Sequence, residues 1–185
     1  IGEGGMAAIL GLEDDVVHAA CREAAQGEVV SPANLNGGGQ IVVAGHTDAV
    51  RRAMTVAKAH GAKRAVELAV SAPFHCALMS PAAEGLARVL EAIAVSALTV
   101  PVIANVTADV NQDPARVKAL LVQQVTAPVR WEESMLKLKS LGCAAAIEVG
   151  PGKVLAGLLK RIVAELSCVS VSDPATLADV PGVLA

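Results

Sequence analysis

The segment Gly4-Gly5-Met6-Ala7-Ala8-Ile9-Leu10-Gly11-Leu12 carries no charge and runs straight into Glu13-Asp14-Asp15. A short apolar run bounded by glycine reads as a strand, and an acidic triplet favours a helix N-terminus, so a helix is expected over Val16 to Gln26. Outward from this pair come two more apolar runs, Val29 to Asn34 and Gln40 to Ala44, separated by Asn36-Gly37-Gly38-Gly39. Glycines that tolerate positive φ make that junction a hairpin or a wider loop. Thr47 is placed as an N-cap, after which Ala49, Val50, Ala53, Met54, Val56 and Ala57 recur at helical spacing until His60-Gly61. A strand over Arg64 to Val70 closes the series. The order β-α-β-β-α-β is that of the ferredoxin-like split βαβ unit, a scaffold that implies no chemistry by itself.

From Ser80 the rhythm changes. Helices are expected at Pro81 to Val95, Pro114 to Val125, Trp131 to Leu141 and Lys153 to Leu166, with strands at Val100 to Val106, Ala144 to Val149 and Cys168 to Ser172. Alternating strands and helices indicate a parallel α/β sheet. About three strands is fewer than the roughly five or six of an ordinary sheet, so its edge is expected to be incomplete and the chain cut from a larger domain. A start at Ile1 instead of Met points the same way, to processing or truncation. The expected organisation is a small subdomain over 1–71 followed by part of a larger α/β domain over 72–185.

Composition narrows the function classes. The 185 residues are 54% hydrophobic but hold one Phe, one Trp and no Tyr, so aliphatic side chains and alanine must fill the core. A net charge of −3 with so few rings leaves neither a basic stripe nor a stacking platform for nucleic acid. Every apolar run is interrupted before the length of about 18 residues that a membrane span needs, and the first residues lack a basic-then-apolar export signal. Cys21, Cys76, Cys143 and Cys168 are scattered without C-x-x-C spacing. They therefore read as free thiols in a reducing cytoplasm, with no zinc site.

Ala72-Pro73-Phe74-His75-Cys76-Ala77-Leu78-Met79 lies where the small subdomain returns to the α/β layer, and such boundaries often form clefts. Histidine exchanges protons near neutral pH because its reference pKa is about 6.5. His75 is therefore the candidate proton carrier, while His18, His46 and His60 fall on a helix surface, a helix start and a helix end and read as structural. Cys76 follows His75, and neighbours on an extended chain point to opposite faces, so it is expected buried and inert.

Taken with Gly45-His46, Ala127-Pro128-Val129-Arg130-Trp131 and Val149-Gly150-Pro151-Gly152-Lys153-Val154-Leu155, this stretch resembles the malonyl-CoA:acyl carrier protein transacylase family nearly end to end. The resemblance implies an α/β-hydrolase-like large domain with an inserted ferredoxin-like small one. It implies transfer of a malonyl group from malonyl-CoA to the phosphopantetheine thiol of acyl carrier protein, in cytoplasmic fatty acid biosynthesis, through an acyl-serine intermediate. In that chemistry His75 takes the serine proton and returns it to the leaving thiol, and the main-chain carbonyl of Gln124 accepts a hydrogen bond from the histidine in place of a triad Asp. Phe74 resembles the bulky residue of malonyl-selective enzymes, a preference worth about 1 to 3 kcal/mol. No metal, nicotinamide or other redox cofactor is implied.

The sequence has no G-x-S-x-G, and the family's malonate-binding arginine and oxyanion loop also have no counterpart. The expectation is a C-terminal portion that carries the histidine without the nucleophile and is inactive alone. Asn34 and Asn36 suit either the amides of a pantetheine arm or turn formation, and Asn105 sits at a strand end where α/β clefts open. Gly150-Pro151-Gly152 suits a tight strand-to-helix turn or a phosphate cradle. Arg51, Arg52, Lys58, Lys63 and Arg64 gather positive charge that suits either an acidic carrier protein or a solvated helix face. Two competing functions are the acyltransferase domain of a polyketide synthase and a non-catalytic ferredoxin-like binding module.

Overall fold

The computed structural model describes residues 4–184, so the start of the chain at Ile1 lies outside the described residues. The molecule is mixed α/β and divides into two compact units, Ile1–Trp131 and Glu132–Ala185. Among the described residues no helix is long and apolar enough to cross a membrane.

The first unit begins with β1 (Gly4–Leu10), α1 (Asp14–Ala25), β2 (Val30–Leu35), β3 (Gln40–His46), α2 (Thr47–Ala59) and β4 (Arg64–Leu68). The strands form one sheet in the order β2-β3-β1-β4, with every neighbouring pair antiparallel. Gly37, Gly38 and Gly39 all take positive φ (77°, 60° and 70°), which lets the β2–β3 connection reverse within a few residues. Thr47 is the first helical residue of α2 instead of its cap; His46 occupies the cap position, without a side-chain cap bond.

The continuous apolar runs of β1 and β3 have a direct cause: both faces of the sheet are covered. Alternate residues Ala7, Ile9, Ile41 and Val43 pack with Val17, Val50 and the alanines of α1 and α2. The intervening residues Met6, Val42 and Ala44 form a second buried cluster with Ala33 and Cys76, against which Ala8, Val29 and Leu78 pack. Fully burying a Val or Ile contributes about 1.5–3 kcal/mol. The small side chains Ala20, Ala24, Ala49, Ala53 and Ala57 let α1 and α2 lie close to the sheet and to each other.

The rest of this unit holds a 3₁₀ turn (Ala77–Met79), α3 (Ser80–Glu91), β5 (Val102–Ala104), β6 (Asp109–Asn111) and α4 (Pro114–Thr126). The α4 start follows from Asp113, whose carboxylate accepts the Ala115 N–H at 2.8 Å, and from Pro114 in the first turn. The expected parallel strand over 100–106 is corrected: only Val102–Ala104 is extended, and it pairs antiparallel with β6. The reversal is made by a turn in which Ala108, at φ 52°, donates to the Ala104 carbonyl at 2.8 Å. The helix expected to run to Val95 stops at Glu91, whose carbonyl accepts from Lys118 Nζ.

The second unit holds most of α5 (Trp131–Ser140), then β7 (Ala145–Val149), α6 (Val154–Ile162), β8 (Ser167–Val171) and a short α7 (Pro181–Leu184). Here the strands do pair in parallel, β7 with β8, and Leu159, Val163 and Leu166 form the core. The α6 helix ends at Ile162, before the expected Leu166.

Candidate functional site

The site is built on the unit that holds the sheet. Pro73 anchors the loop after β4: its ring occupies the space that a Cβ on Gly4 would need, so the start of β1 must be glycine there. Cys76, 1% exposed, plugs into the sheet face opposite the helices, and its thiol donates to the Pro73 carbonyl at 3.1 Å. Burial pushes the Cys76 thiol pKa up. Between these anchors His75 is held half-buried with φ 62°, in the left-handed region that non-glycine residues seldom adopt. The expected extended chain is therefore corrected: a left-handed residue, not strand alternation, sends His75 away while Cys76 points inward.

His75 Nδ1 lies 2.9 Å from the main-chain oxygen of Gln124, near the C-terminal end of α4. A carbonyl only accepts, so this contact places the ring proton on Nδ1 and leaves Nε2 as the basic nitrogen of the neutral ring. The pair thus reproduces the orienting half of a proton-transfer dyad with a neutral acceptor.

The segment after α4 links the remaining candidates. Val129 N–H donates to the Ala33 carbonyl at 2.8 Å and its carbonyl accepts from Leu35 N–H at 2.9 Å, giving a parallel bridge between Asn34 and Val129. Arg130 N–H donates to the Asn105 carbonyl at 3.2 Å, and Arg130 Nη1 donates to the Thr107 carbonyl at 3.0 Å. Asn105, Asn111 and Gln124 line one cavity of about 290 Å³ whose walls are otherwise apolar, among them Leu98, Ile103, Val117 and Leu121. Asn36 donates its N–H to the Gln40 carbonyl at 3.1 Å within the hairpin turn. Phe74, 41% exposed, stands beside His75 in the chain. The residues that sequence reasoning quoted but gave no role are Pro128, Val129 and Arg130; a proline four places after Gln124 was the signal available.

Other candidates take structural positions. His46 grips Val29 twice: its N–H donates to the Val29 carbonyl at 2.8 Å and its Nδ1 accepts the Val29 N–H at 2.9 Å. His60 lies 3.8 Å from Glu23, and His18 is exposed on α1. Among the cations, Arg52 donates to the Ala24 and Ala25 carbonyls at the end of α1 and pairs with Glu28 at 2.6 Å. Arg51 pairs with Glu67 at 2.7 Å. Lys58, Lys63 and Arg64 are exposed.

In the second unit the N-terminus of α6 is taken by a side chain of the protein. Glu148 accepts the Leu155 and Ala156 N–H groups at 2.9 and 3.1 Å and the Ser170 hydroxyl at 3.0 Å. Burial alone would raise its pKa, but these hydrogen bonds outweigh it and hold the carboxyl below its ordinary value. Gly150 and Gly152, at φ 137° and 92°, make the tight turn that brings β7 to the helix, and a carboxylate stands where a phosphate would bind.

The chain as a whole is similar to known proteins along most of its length. Residues 1–180 match the family described as the acyl transferase domain. The malonyl CoA-acyl carrier protein transacylase of Salmonella typhimurium is 51% identical over 176 residues, which cover 95% of this chain and 57% of that protein. The crystal structure of an acyl carrier protein S-malonyltransferase from Vibrio cholerae superposes with a TM-score of 0.93 at 51% identity, covering 97% of this chain and 58% of that one. A malonyl-transacylase solved in complex with its type II polyketide acyl-carrier protein gives a TM-score of 0.93 at 47% identity, over 96% of this chain and 57% of that one. The chain spans little more than half the length of the relatives it matches.

Proposed function

The chain belongs to the acyl transferase domain family, and from that premise we propose that it serves malonyl transfer from malonyl-CoA to the phosphopantetheine thiol of acyl carrier protein. The process is cytoplasmic fatty acid biosynthesis. The single observation that carries the reading is the 2.9 Å contact between His75 Nδ1 and the Gln124 carbonyl. With Nδ1 holding the proton, Nε2 accepts the proton of a serine hydroxyl as its oxygen attacks the malonyl thioester carbon. The carbon–sulfur bond breaks, the imidazolium returns the proton to the coenzyme A thiolate, and an acyl-serine remains. In the second half Nε2 takes the proton of the carrier protein's thiol as its sulfur attacks the acyl carbon, the carbon–oxygen bond to serine breaks, and the imidazolium returns the proton to the serine oxygen. Each half releases one thiol or alcohol and consumes the other.

In the same reading residues 1–71 are a ferredoxin-like subdomain and 72–185 belong to an α/β-hydrolase-like large domain. The antiparallel order β2-β3-β1-β4 supports the ferredoxin-like reading of the first part, and the parallel β7–β8 pair supports the α/β reading of the last. Phe74 limits space beside the acyl group, Asn105 and Asn34 border the cavity and the Val129 bridge on the substrate side, and Asn36 faces the pantetheine arm. The exposed Lys58, Lys63 and Arg64, with Arg51 and Arg52 beside them, meet the acidic carrier protein. The 185 residues contain no G-x-S-x-G, so this polypeptide alone is expected not to turn over.

The test is transfer of radiolabelled malonyl from malonyl-CoA to acyl carrier protein by the complete protein of the natural reading frame and its His75→Ala variant. A loss of about a hundredfold or more is expected on removing the general base. An active parent with an unimpaired variant would remove His75 from the reaction; an inactive parent would overturn the transferase reading.

A further inference from the structure

The Gln124 carbonyl is available to His75 for a reason written in the chain. In an α-helix the oxygen of residue 124 would accept the N–H of residue 128. Residue 128 is proline, which has no N–H. The last bond of the α4 ladder is accordingly Ala127 N–H to the Gln123 carbonyl, at 3.1 Å. Proline also bars the residue before it from the helical region, and Ala127 is extended at φ −108° and ψ 152°. The chain therefore leaves the helix one residue after Thr126 and turns toward β2, where Val129 is bracketed by Ala33 and Leu35. The Gln124 side chain closes this exit: its Nε2 donates to the Ala127 carbonyl at 3.0 Å and the Pro128 carbonyl at 3.3 Å.

We propose that Pro128 and the Gln124 side chain are positioning residues for His75: the proline keeps the Gln124 carbonyl unclaimed by the helix, and the amide locks the turn that aims it at Nδ1. One residue thus works at both ends, its carbonyl on the histidine and its amide on the chain exit. The inference rests on the transferase reading for its kinetic consequence but not for its structural one. Replacing proline by alanine supplies an N–H at 128 and lifts the restriction on Ala127. The helix then gains a further bond that competes with His75 for the same oxygen.

The experiment combines steady-state malonyl transfer with ¹⁵N NMR of the His75 ring in the complete natural protein and its Pro128→Ala and Gln124→Ala variants. In the parent the neutral ring is expected as the Nδ1–H tautomer. In Pro128→Ala a mixed tautomer population is expected, with kcat reduced about tenfold, the worth of one lost hydrogen bond, and KM within about twofold. Gln124→Ala, which retains the carbonyl, is expected to change both readouts in the same direction by a smaller factor. Nδ1–H rings in both variants with parental kcat would overturn the proposal. If melting followed by circular dichroism shows that Pro128→Ala does not fold, Gln124→Ala decides by the same two readouts. A parent without malonyl transfer would sink the transferase reading, and the tautomer shift would still decide the positioning.

Discussion

At the scale of single residues, His75 combines two properties that no local pattern predicts together. Its backbone sits at φ 62°, a conformation that costs an L-residue about 1–2 kcal/mol, and its ring meets a carbonyl 49 positions along the chain. Strain of this kind persists where the surroundings over-determine it, here through Cys76 in the sheet face and Pro73 against Gly4. The conformation gives an expected order of stability among inactive variants. His75→Gly should be more stable than His75→Ala by about 1 kcal/mol, because glycine accepts positive φ without a Cβ penalty. Urea midpoints of the two variants check this, and an equal midpoint would mean that the turn relaxes once the ring is gone. In sequence His75 stood out only as a histidine at the edge of the small subdomain, and its role, like that of its partner, came with the family resemblance, since one glutamine carbonyl looks like any other in sequence.

At the scale of elements, the β2–β3 pair is held by a close approach at its open end. A Cβ on Gly45 would meet the Val29 carbonyl and lie 2.6 Å from Val30 Cα, both backbone atoms that cannot swing away. The adjacent His46 then binds Val29 at both its N–H and its carbonyl. Gly45→Ala is therefore expected to pry β2 from β3 and to destabilise by about 1–3 kcal/mol, the range for overpacking. Because β2 also carries the Ala33 and Leu35 bonds to Val129, hydrogen exchange should quicken at Leu35 and Val129 as well as at Val29, whose N–H His46 holds. Exchange limited to Val29 would show that the strand moves only locally. The starts of β1, β3 and β4 were readable from apolar runs and glycines, whereas each strand ends two residues from where those runs end. The β5–β6 hairpin was not, because Val100 to Val106 reads as one apolar run while the observed reversal depends on an alanine at positive φ.

At the scale of the whole molecule, three carboxylates within Glu132–Ala185 have lowered pKa values: Glu148, Glu165 and Asp173. For Glu165 the cause is chiefly the hydrogen bond from Lys139, and for Asp173 the hydrogen bond from the Thr176 N–H. A lowered folded pKa means that the native state binds fewer protons than the unfolded chain. The stability it contributes is present above the ordinary values of 4.5 and 3.8 and is lost as pH falls through the lower folded values. Amide protection over 132–184 is thus expected to fall on acidification below these values, first at Leu155 and Ala156, whose N–H groups Glu148 holds. Glu148→Gln should flatten that dependence. Protection at Leu155 with the same pH profile in parent and variant would assign the acid loss to another group.

What the amino-acid order determined unaided were features set within a few residues: the glycine reversal at 37–39, the acidic entry to α1, the Asp113-Pro114 start of α4 and the aliphatic character of the core. Each depends on φ preference, a side chain capping its own helix, or hydrophobicity, and these act at short range along the chain. Tertiary structure alone decided which carbonyl meets His75, why Cys76 turns inward, that Val102–Ala104 pairs antiparallel, and that Glu148 occupies the N-terminus of α6. Those outcomes require groups far apart in the chain to arrive with matched orientation. Orientation is set by packing against the sheet and by where each helix is made to end, as Pro128 ends α4.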